Sequence, residues 1–219
     1  MIEIKEMTKI YRTETIETTA LNRINLHIPQ NSFVAIKGPS GCGKTTLLNI
    51  LGLMDRPSKG EVLLQGVNTV GISEKQRNKL RRKTMGFLFQ KFNLIASLSV
   101  FENVELPLLY ERVHTAKRKE KVMAMLKQLG LEGRKDHFPH QLSGGQQQRV
   151  SLARCIINDP LLILADEPTG NLDSKNGDEV LRLLAELHKD GRTIVMVTHD
   201  ERYAAYAERI IQLNDGMVV

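Results

Sequence analysis

Long apolar runs are missing from this chain. The longest spans about five residues, against the roughly 20 that a helix needs to cross a bilayer, so no transmembrane helix is expected. The opening Met1-Ile2-Glu3-Ile4-Lys5-Glu6 lacks the basic-then-apolar layout of a secretory signal. Cysteine is scarce as well. Cys42 and Cys155 are the only two and form no C-x-x-C pair, which excludes a disulfide framework and favours a reduced, cytosolic compartment. At 219 residues a chain buries about 70% of its unfolded surface without such staples. The length suits one domain, or one domain with a subdomain inserted. Aromatic residues make up 5% of the chain, with no tryptophan. None interleaves the two basic clusters, Arg77, Lys79, Arg81, Arg82 and Lys83, then Lys117, Arg118, Lys119 and Lys121. The net charge of +6 is therefore a poor argument for nucleic acid. It reads first as solvated helix faces, with an anionic membrane surface or a protein partner behind. Internal repeats and low-complexity linkers are absent.

What is present is a phosphate cradle. Gly38-Pro39-Ser40-Gly41-Cys42-Gly43-Lys44-Thr45-Thr46 reads G-x-x-x-x-G-K-[ST] between the apolar Phe33-Val34-Ala35-Ile36 and the helix-like Thr46-Leu47-Leu48-Asn49-Ile50-Leu51. That strand–loop–helix setting is what the motif requires. Its glycines let consecutive N–H groups turn inward onto phosphate oxygens, and the following helix adds the positive end of its dipole. Lys44 is expected to reach the β- and γ-phosphates, and the Thr45 hydroxyl to ligate Mg²⁺.

Taken in order, Met1 to Ile10 alternates as an edge-type antiparallel strand, and Leu21 to Ile28 as a second one. Phe33 to Lys37 is apolar enough for a strand covered on both faces. Asp55 to Gly60 is a turn, Glu61 to Leu64 a strand, Ser73 to Lys83 a polar helix capped by Ser73, and Met85 to Phe89 a buried strand. Between Lys91 and about Gly145 the pattern becomes helical. Ser99 to Tyr110 reads as a helix interrupted at Pro107. Val122, Met125, Leu126 and Leu129 mark one helical face, and the methionines are core. Ser143 caps a helix to about Asn158. Leu161 to Ala165 is a buried strand, Val180, Leu183, Leu184 and Leu187 a helix stripe, and Thr193 to Val197 another strand. Ile210 to Leu213 and Met217 to Val219 form a hairpin around Asn214-Asp215-Gly216.

Buried strands thus run into polar residues at their carboxyl ends: the phosphate loop, Asp166-Glu167 and His199, with Gln90 ending a fourth. Ligands of open parallel α/β sheets bind at that edge. An aliphatic strand ending in an acid is the magnesium-side element of P-loop NTPases. Asp166 would hold the metal through water, and Glu167 suits a general base for the attacking water. Taken alone, the acidic pair reads equally as a helix cap, His199 as structural and Gln90 as a loop residue. Their shared rim gives them a common purpose.

Leu142-Ser143-Gly144-Gly145-Gln146, followed by Gln147-Gln148-Arg149, matches the signature of the ATP-binding-cassette family, which the chain resembles over nearly its whole length. The resemblance implies an α/β P-loop ATPase with a mainly parallel core sheet, an N-terminal antiparallel β-subdomain and an inserted helical subdomain. Residues 1–90 and 159–219 would form the core with the β-subdomain, and 91–158 the helical part of a single domain, 1–219. Two copies would sandwich two ATP molecules head to tail. Ser143, Gly144, Gly145 and Gln146 of one copy would clasp the γ-phosphate held by the other, a helix start suited to an anion in its own right. Tyr11 matches the aromatic that stacks on adenine. Gln90 matches the glutamine that touches Mg²⁺ and the membrane partner, Asp173 the loop crossing the dimer interface, and His199 the switch histidine on the γ-phosphate.

The segment Gly170-Asn171-Leu172-Asp173 departs from the Ser-Ala-Leu-Asp common elsewhere in the superfamily. With Leu51-Gly52-Leu53-Met54-Asp55-Arg56-Pro57 and Glu102-Asn103-Val104-Glu105-Leu106-Pro107 it resembles the MacB/LolD/FtsE group. That resemblance implies a separate permease of the MacB or FtsX kind and a place on the inner face of the cell membrane. Its work would be export, lipoprotein or peptide extrusion, or mechanotransmission. The other readings are a soluble cassette ATPase acting on nucleic acid or ribosomes, and a non-hydrolysing binding module, against which Glu167 and His199 argue.

Overall fold

A computed structural model describes residues 1–219. Its main sheet has six strands: β3 (Phe33–Lys37), β6 (Met85–Phe89), β7 (Leu162–Asp166), β8 (Thr193–Val197), β9 (Arg209–Asn214) and β10 (Met217–Val218). Their order is β10-β9-β3-β8-β7-β6, all parallel except the terminal β10. The pleat sends alternate side chains to opposite faces, so each continuously apolar strand serves two cores. Phe33, Ala35, Ile163, Ala165, Ile194 and Met196 face one cluster of 27 buried residues. Val34, Ile36, Leu162, Leu164, Val195 and Val197 face a second cluster of 24. Burial of one such aliphatic side chain contributes roughly 1.5–3 kcal/mol, which is why no polar residue interrupts these runs.

The second core is closed by α1 (Lys44–Leu51) and by a four-stranded antiparallel sheet. That sheet consists of β1 (Ile2–Arg12), β2 (Glu17–Ile28), β4 (Lys59–Leu64) and β5 (Val67–Asn68), in the order β2-β1-β4-β5. β1 is therefore an interior strand, not the edge strand its alternation suggests. Glu6 at φ 47° makes a bulge that shifts the phase of burial from Ile2 and Ile4 to Met7. Pairing also extends β1 through Arg12 and starts β2 four residues early, at Glu17.

The first core is covered by helices. α3 (Val100–Tyr110), α4 (Thr115–Gln128) and α5 (Gly144–Ile156) lie between β6 and β7, whereas α2 (Glu74–Thr84), before β6, packs Leu80 against the second core. α6 (Ser174–Lys189) and the short α7 (Glu201–Ala204) follow β7 and β8. Ser73, Ser99 and Ser143 start α2, α3 and α5 with full capping boxes. α3 runs unbroken through Pro107, contrary to the interruption expected. A proline so near the carboxyl end removes a single ladder bond, and Val104 and Leu108 stay fully buried on either side. The closing hairpin turns on Asp215 (φ 44°) and Gly216 (φ 75°), the two left-handed positions of a type I′ turn.

Candidate active site

The parallel strands end at one rim, and the phosphate loop stands over it. Gly41 (φ 80°) and Gly43 (φ 104°) take left-handed backbone. A methyl group on Gly43 would lie 2.5 Å from the Ala20 carbonyl oxygen, and one on Gly38 would lie 2.0 Å from that of Leu213. Both positions therefore require glycine for space. α1 begins at Lys44 with no side-chain cap, leaving its first-turn N–H groups directed at whatever occupies the cavity above.

That cavity, about 650 Å³, is floored by the loop from Gly38 to Thr46, except Cys42, and walled by Glu167, His199 and Ala20. Cys42 is buried beneath the loop, so its side chain belongs to the core. Lys44 Nζ donates to the carbonyls of Gly38 (2.8 Å) and Pro39 (2.7 Å). The third donor of the ammonium meets only the Cys42 sulfur, at 3.9 Å, a weak acceptor that an anion would displace.

The Thr45 hydroxyl donates weakly to the Asp166 carboxylate, at 3.4 and 3.5 Å. Burial, and after it the charge of Glu167, pushes the Asp166 carboxyl above the usual carboxylate range, against Thr45 and Lys44, which pull it down. A cation between these oxygens would relieve that tension. Hard oxygen donors of this kind suit Mg²⁺, which takes one or two protein ligands and fills its shell with water and phosphate. Gln90 follows β6, whose Phe89 pairs with Asp166. Its side chain is packed against Gly170, and its carbonyl accepts from the Asn171 amide at 3.0 Å. Gln90 thus stands on the rim without lining the cavity.

Glu167 adopts φ 44°, a left-handed backbone that non-glycine residues hold only when their surroundings impose it. Its N–H donates to the Val197 carbonyl at 3.0 Å, and its Oε1 lies 3.2 Å from His199 Nδ1. The imidazole is 68% exposed and the carboxylate 26%, so the pair faces the cavity with the acid as its sheltered member. Glu167 and His199 are adjacent only in space, across the β7–β8 register.

Other expected residues gather elsewhere. The Tyr11 hydroxyl donates to Asp55 Oδ2 at 2.8 Å, and Lys9 Nζ lies 4.6 Å from the ring centre. Burial, then the Asp55 hydrogen bond, raises the Tyr11 hydroxyl above its ordinary pKa. The ring is beside the phosphate cavity and outside its lining. Ser143, Gly144, Gly145 and Gln146 also lie outside that lining. They start α5 against the beginning of α6, where a methyl on Gly145 would fall 2.0 Å from Asn176 Oδ1. Asp173 caps α6, and the backbone and amide of Asn176 hold its carboxyl below the usual range.

The chain therefore assembles the phosphate loop, Asp166, Glu167 and His199 in one place and the signature with Asp173 in another. Ala20 was not legible as a site residue, since its role is set by how β2 packs on the loop. Asn176, which meets Gly145 and accompanies Asp173 at the start of α6, was missed for the same reason.

The family model described as ABC transporter matches residues 21–170. An uncharacterized ABC transporter ATP-binding protein of Methanocaldococcus jannaschii, MJ1508, is 51% identical over the whole chain and 98% of its own length. The macrolide export ATP-binding/permease protein MacB of Hyphomonas neptunium is 48% identical, and the chain spans 34% of it. Among solved structures, the dimeric post-hydrolysis state of the ATP-binding cassette MJ0796, bound to ADP and Pi, superposes with a TM-score of 0.93 at 45% identity, over the whole chain and 96% of that one. On these grounds the chain belongs to the ABC transporter family, as one of its ATP-binding proteins.

Proposed function

We propose that two copies of this ATPase close head to tail on two ATP molecules and, by closing and reopening, drive a separate membrane permease. The observation that carries the reading is the division of the motifs. The phosphate cavity is furnished with Lys44, Glu167 and His199, while Ser143 and its glycines stand outside it. An uncapped α1 meets one side of the terminal phosphate, and the start of α5 in the second copy meets the other.

In this reading the loop N–H groups and the Lys44 donor that faces only the Cys42 sulfur hold the β- and γ-phosphates, and Tyr11 stacks on the adenine. Thr45 and Asp166, with Gln90 at the rim, would hold Mg²⁺, which supplies neutralisation of phosphate charge when bound. Closure excludes bulk water and strengthens each electrostatic contact. Glu167 accepts a proton from the remaining water as its oxygen bonds to the γ-phosphorus and the bond to the β-phosphate oxygen breaks. His199, oriented by Glu167, donates to the γ-phosphate. Charge then divides between ADP and phosphate, the bridge between the copies is lost, and they separate.

An apolar groove of about 460 Å³ runs between β6 and α3, lined by Met54, Phe87, Phe89, Ile95 and Tyr110 with Arg81, Arg82 and Arg154 along it. Close to Gln90, it is the surface we assign to the permease. No helix of this chain is long and apolar enough to cross a membrane, so placement on the cytoplasmic face would come through that contact. The same proposal assigns 1–90 and 159–219 to the core and 91–158 to the helical part. It places the work with the MacB/LolD/FtsE group, in export or mechanotransmission. Turnover per subunit measured across serial dilution tests it. Turnover should fall as the copies separate, and a specific rate independent of concentration refutes the paired site.

A further inference from the structure

Gln148 sits in the second turn of α5, fully buried, and its amide nitrogen joins three motifs. It donates to the carbonyl of Pro168, immediately after Glu167, and at 3.5 Å to that of Phe89, immediately before Gln90. Its own oxygen has no partner. A buried amide with one end unsatisfied is unfavourable, so a residue kept there calls for an explanation that packing alone does not supply.

The explanation lies in the turn it holds. Glu167 combines φ 44° with a proline as its next residue, and a following proline favours extended backbone. Such a conformation persists only where its neighbours over-determine it. On the amino side the Glu167 N–H is tied to the Val197 carbonyl, and the Glu167 carbonyl accepts from the Gly170 N–H at 3.0 Å. Within the turn, the Pro168 carbonyl accepts from Gln148. Without that donor, the centre of the turn loses its tie to α5.

We propose that Gln148 is a positioning residue for hydrolysis: its amide ties the helix that follows the signature to the Pro168 carbonyl and so fixes the left-handed turn that aims the Glu167 carboxylate. The inference rests on Glu167 as the base. It adds that the aim of the base is set from α5, the helix whose start presents the signature to the second copy. Movement of α5 against the sheet is then felt at the base through one hydrogen bond.

The test uses the full chain with Gln148→Met, Gln148→Glu and, as a control on the underlying reading, Glu167→Gln. Gln148→Met keeps the volume and removes the donor. Its kcat should fall about tenfold, the effect of a barrier change the size of one hydrogen bond, with KM for ATP within about twofold. Gln148→Glu supplies a donor only when protonated. Burial favours its neutral form, so its kcat relative to the parent should recover as the pH is lowered from about 8 to about 6. A merely structural role would lower the thermal midpoint of both variants and produce neither the kcat-only loss nor the recovery with acid. Parental kcat in Gln148→Met, a loss confined to KM, or a pH-independent ratio in Gln148→Glu overturns the inference. Should Gln148→Met fail to fold, the pH series on Gln148→Glu decides. If the Gln148 variants keep parental kcat while Glu167→Gln loses it, only the positioning role fails. If Glu167→Gln itself keeps parental turnover, the base assignment fails with it.

Discussion

Replacing Glu167 by glutamine separates the two jobs this position combines. The amide is nearly the same size, so the turn at φ 44° and the contact to His199, 3.2 Å in the parent, can both be kept. What goes is the proton acceptor. General base catalysis by a positioned side chain contributes about 10²- to 10⁴-fold, or roughly 3–5.5 kcal/mol of barrier at about 1.4 kcal/mol per decade. Ground-state binding should move the other way. The charge of Glu167 is the second cause, after burial, that raises the Asp166 carboxyl. The same negative charge lines the phosphate cavity, and its removal lowers the repulsion that an anionic γ-phosphate meets there. The expectation is a phosphate-release rate lowered by at least about a hundredfold, ATP affinity equal to or tighter than the parent's, and an ATP-dependent species of doubled mass by size exclusion with light scattering. Phosphate release within about tenfold of the parent would refute Glu167 as the base, and weaker ATP binding would refute the argument that its charge repels the phosphates.

Lys44→Ala leaves the carbonyls of Gly38 and Pro39 without their donor and removes the charge under the phosphates. ATP affinity by titration calorimetry should drop at least about tenfold, as loss of a charge-assisted contact requires. Mixing Lys44→Ala with Ser143→Arg, each inactive alone, should restore turnover through the one mixed site that retains both parental halves, and absence of complementation counts against head-to-tail assembly. Gly43→Ala places a methyl 2.5 Å from the Ala20 carbonyl at φ 104°. A destabilisation of about 1–3 kcal/mol from the backbone conformation, lowering Tm by several degrees in a chain of this size, is the expected result by calorimetry. The Glu208 carboxyl is held below the usual range first by His188 and then by the Phe33 N–H. Because its folded pKa is depressed, its contribution to stability is present above its unfolded value of about 4.3 and is lost as pH falls through the lower folded value. Glu208→Gln should therefore flatten the acid limb of the stability–pH curve and leave neutral ATP turnover alone.

Much of this architecture is legible in the residue order because its signals are local. Phe33 to Lys37, Leu161 to Ala165 and Thr193 to Val197 read as buried strands because each carries an unbroken run of four or five apolar residues. Ser73, Ser99 and Ser143 read as helix starts because a capping box closes within four residues. The phosphate loop carries its own geometry in its glycines. Even the convergence of Asp166, Glu167 and His199 on one rim followed from strand polarity, once the strands were taken as parallel.

Other features needed the fold. β1 became interior because β4 returns to pair with its free side, residues 51 to 62 positions away that no window of sequence contains. Pro107 stayed inside α3 because the packing of Val104 and Leu108 outweighs one missing hydrogen bond. The tether of Tyr11 to Asp55 and the hold of Gln148 on Pro168 join residues 44 and 20 positions apart. Residue order alone thus determined which chemistry the chain carries and at which strand ends it lies. Tertiary structure decided which atoms meet and in what pose, because side-chain aim and burial depend on long-range contacts that short-range periodicity does not encode.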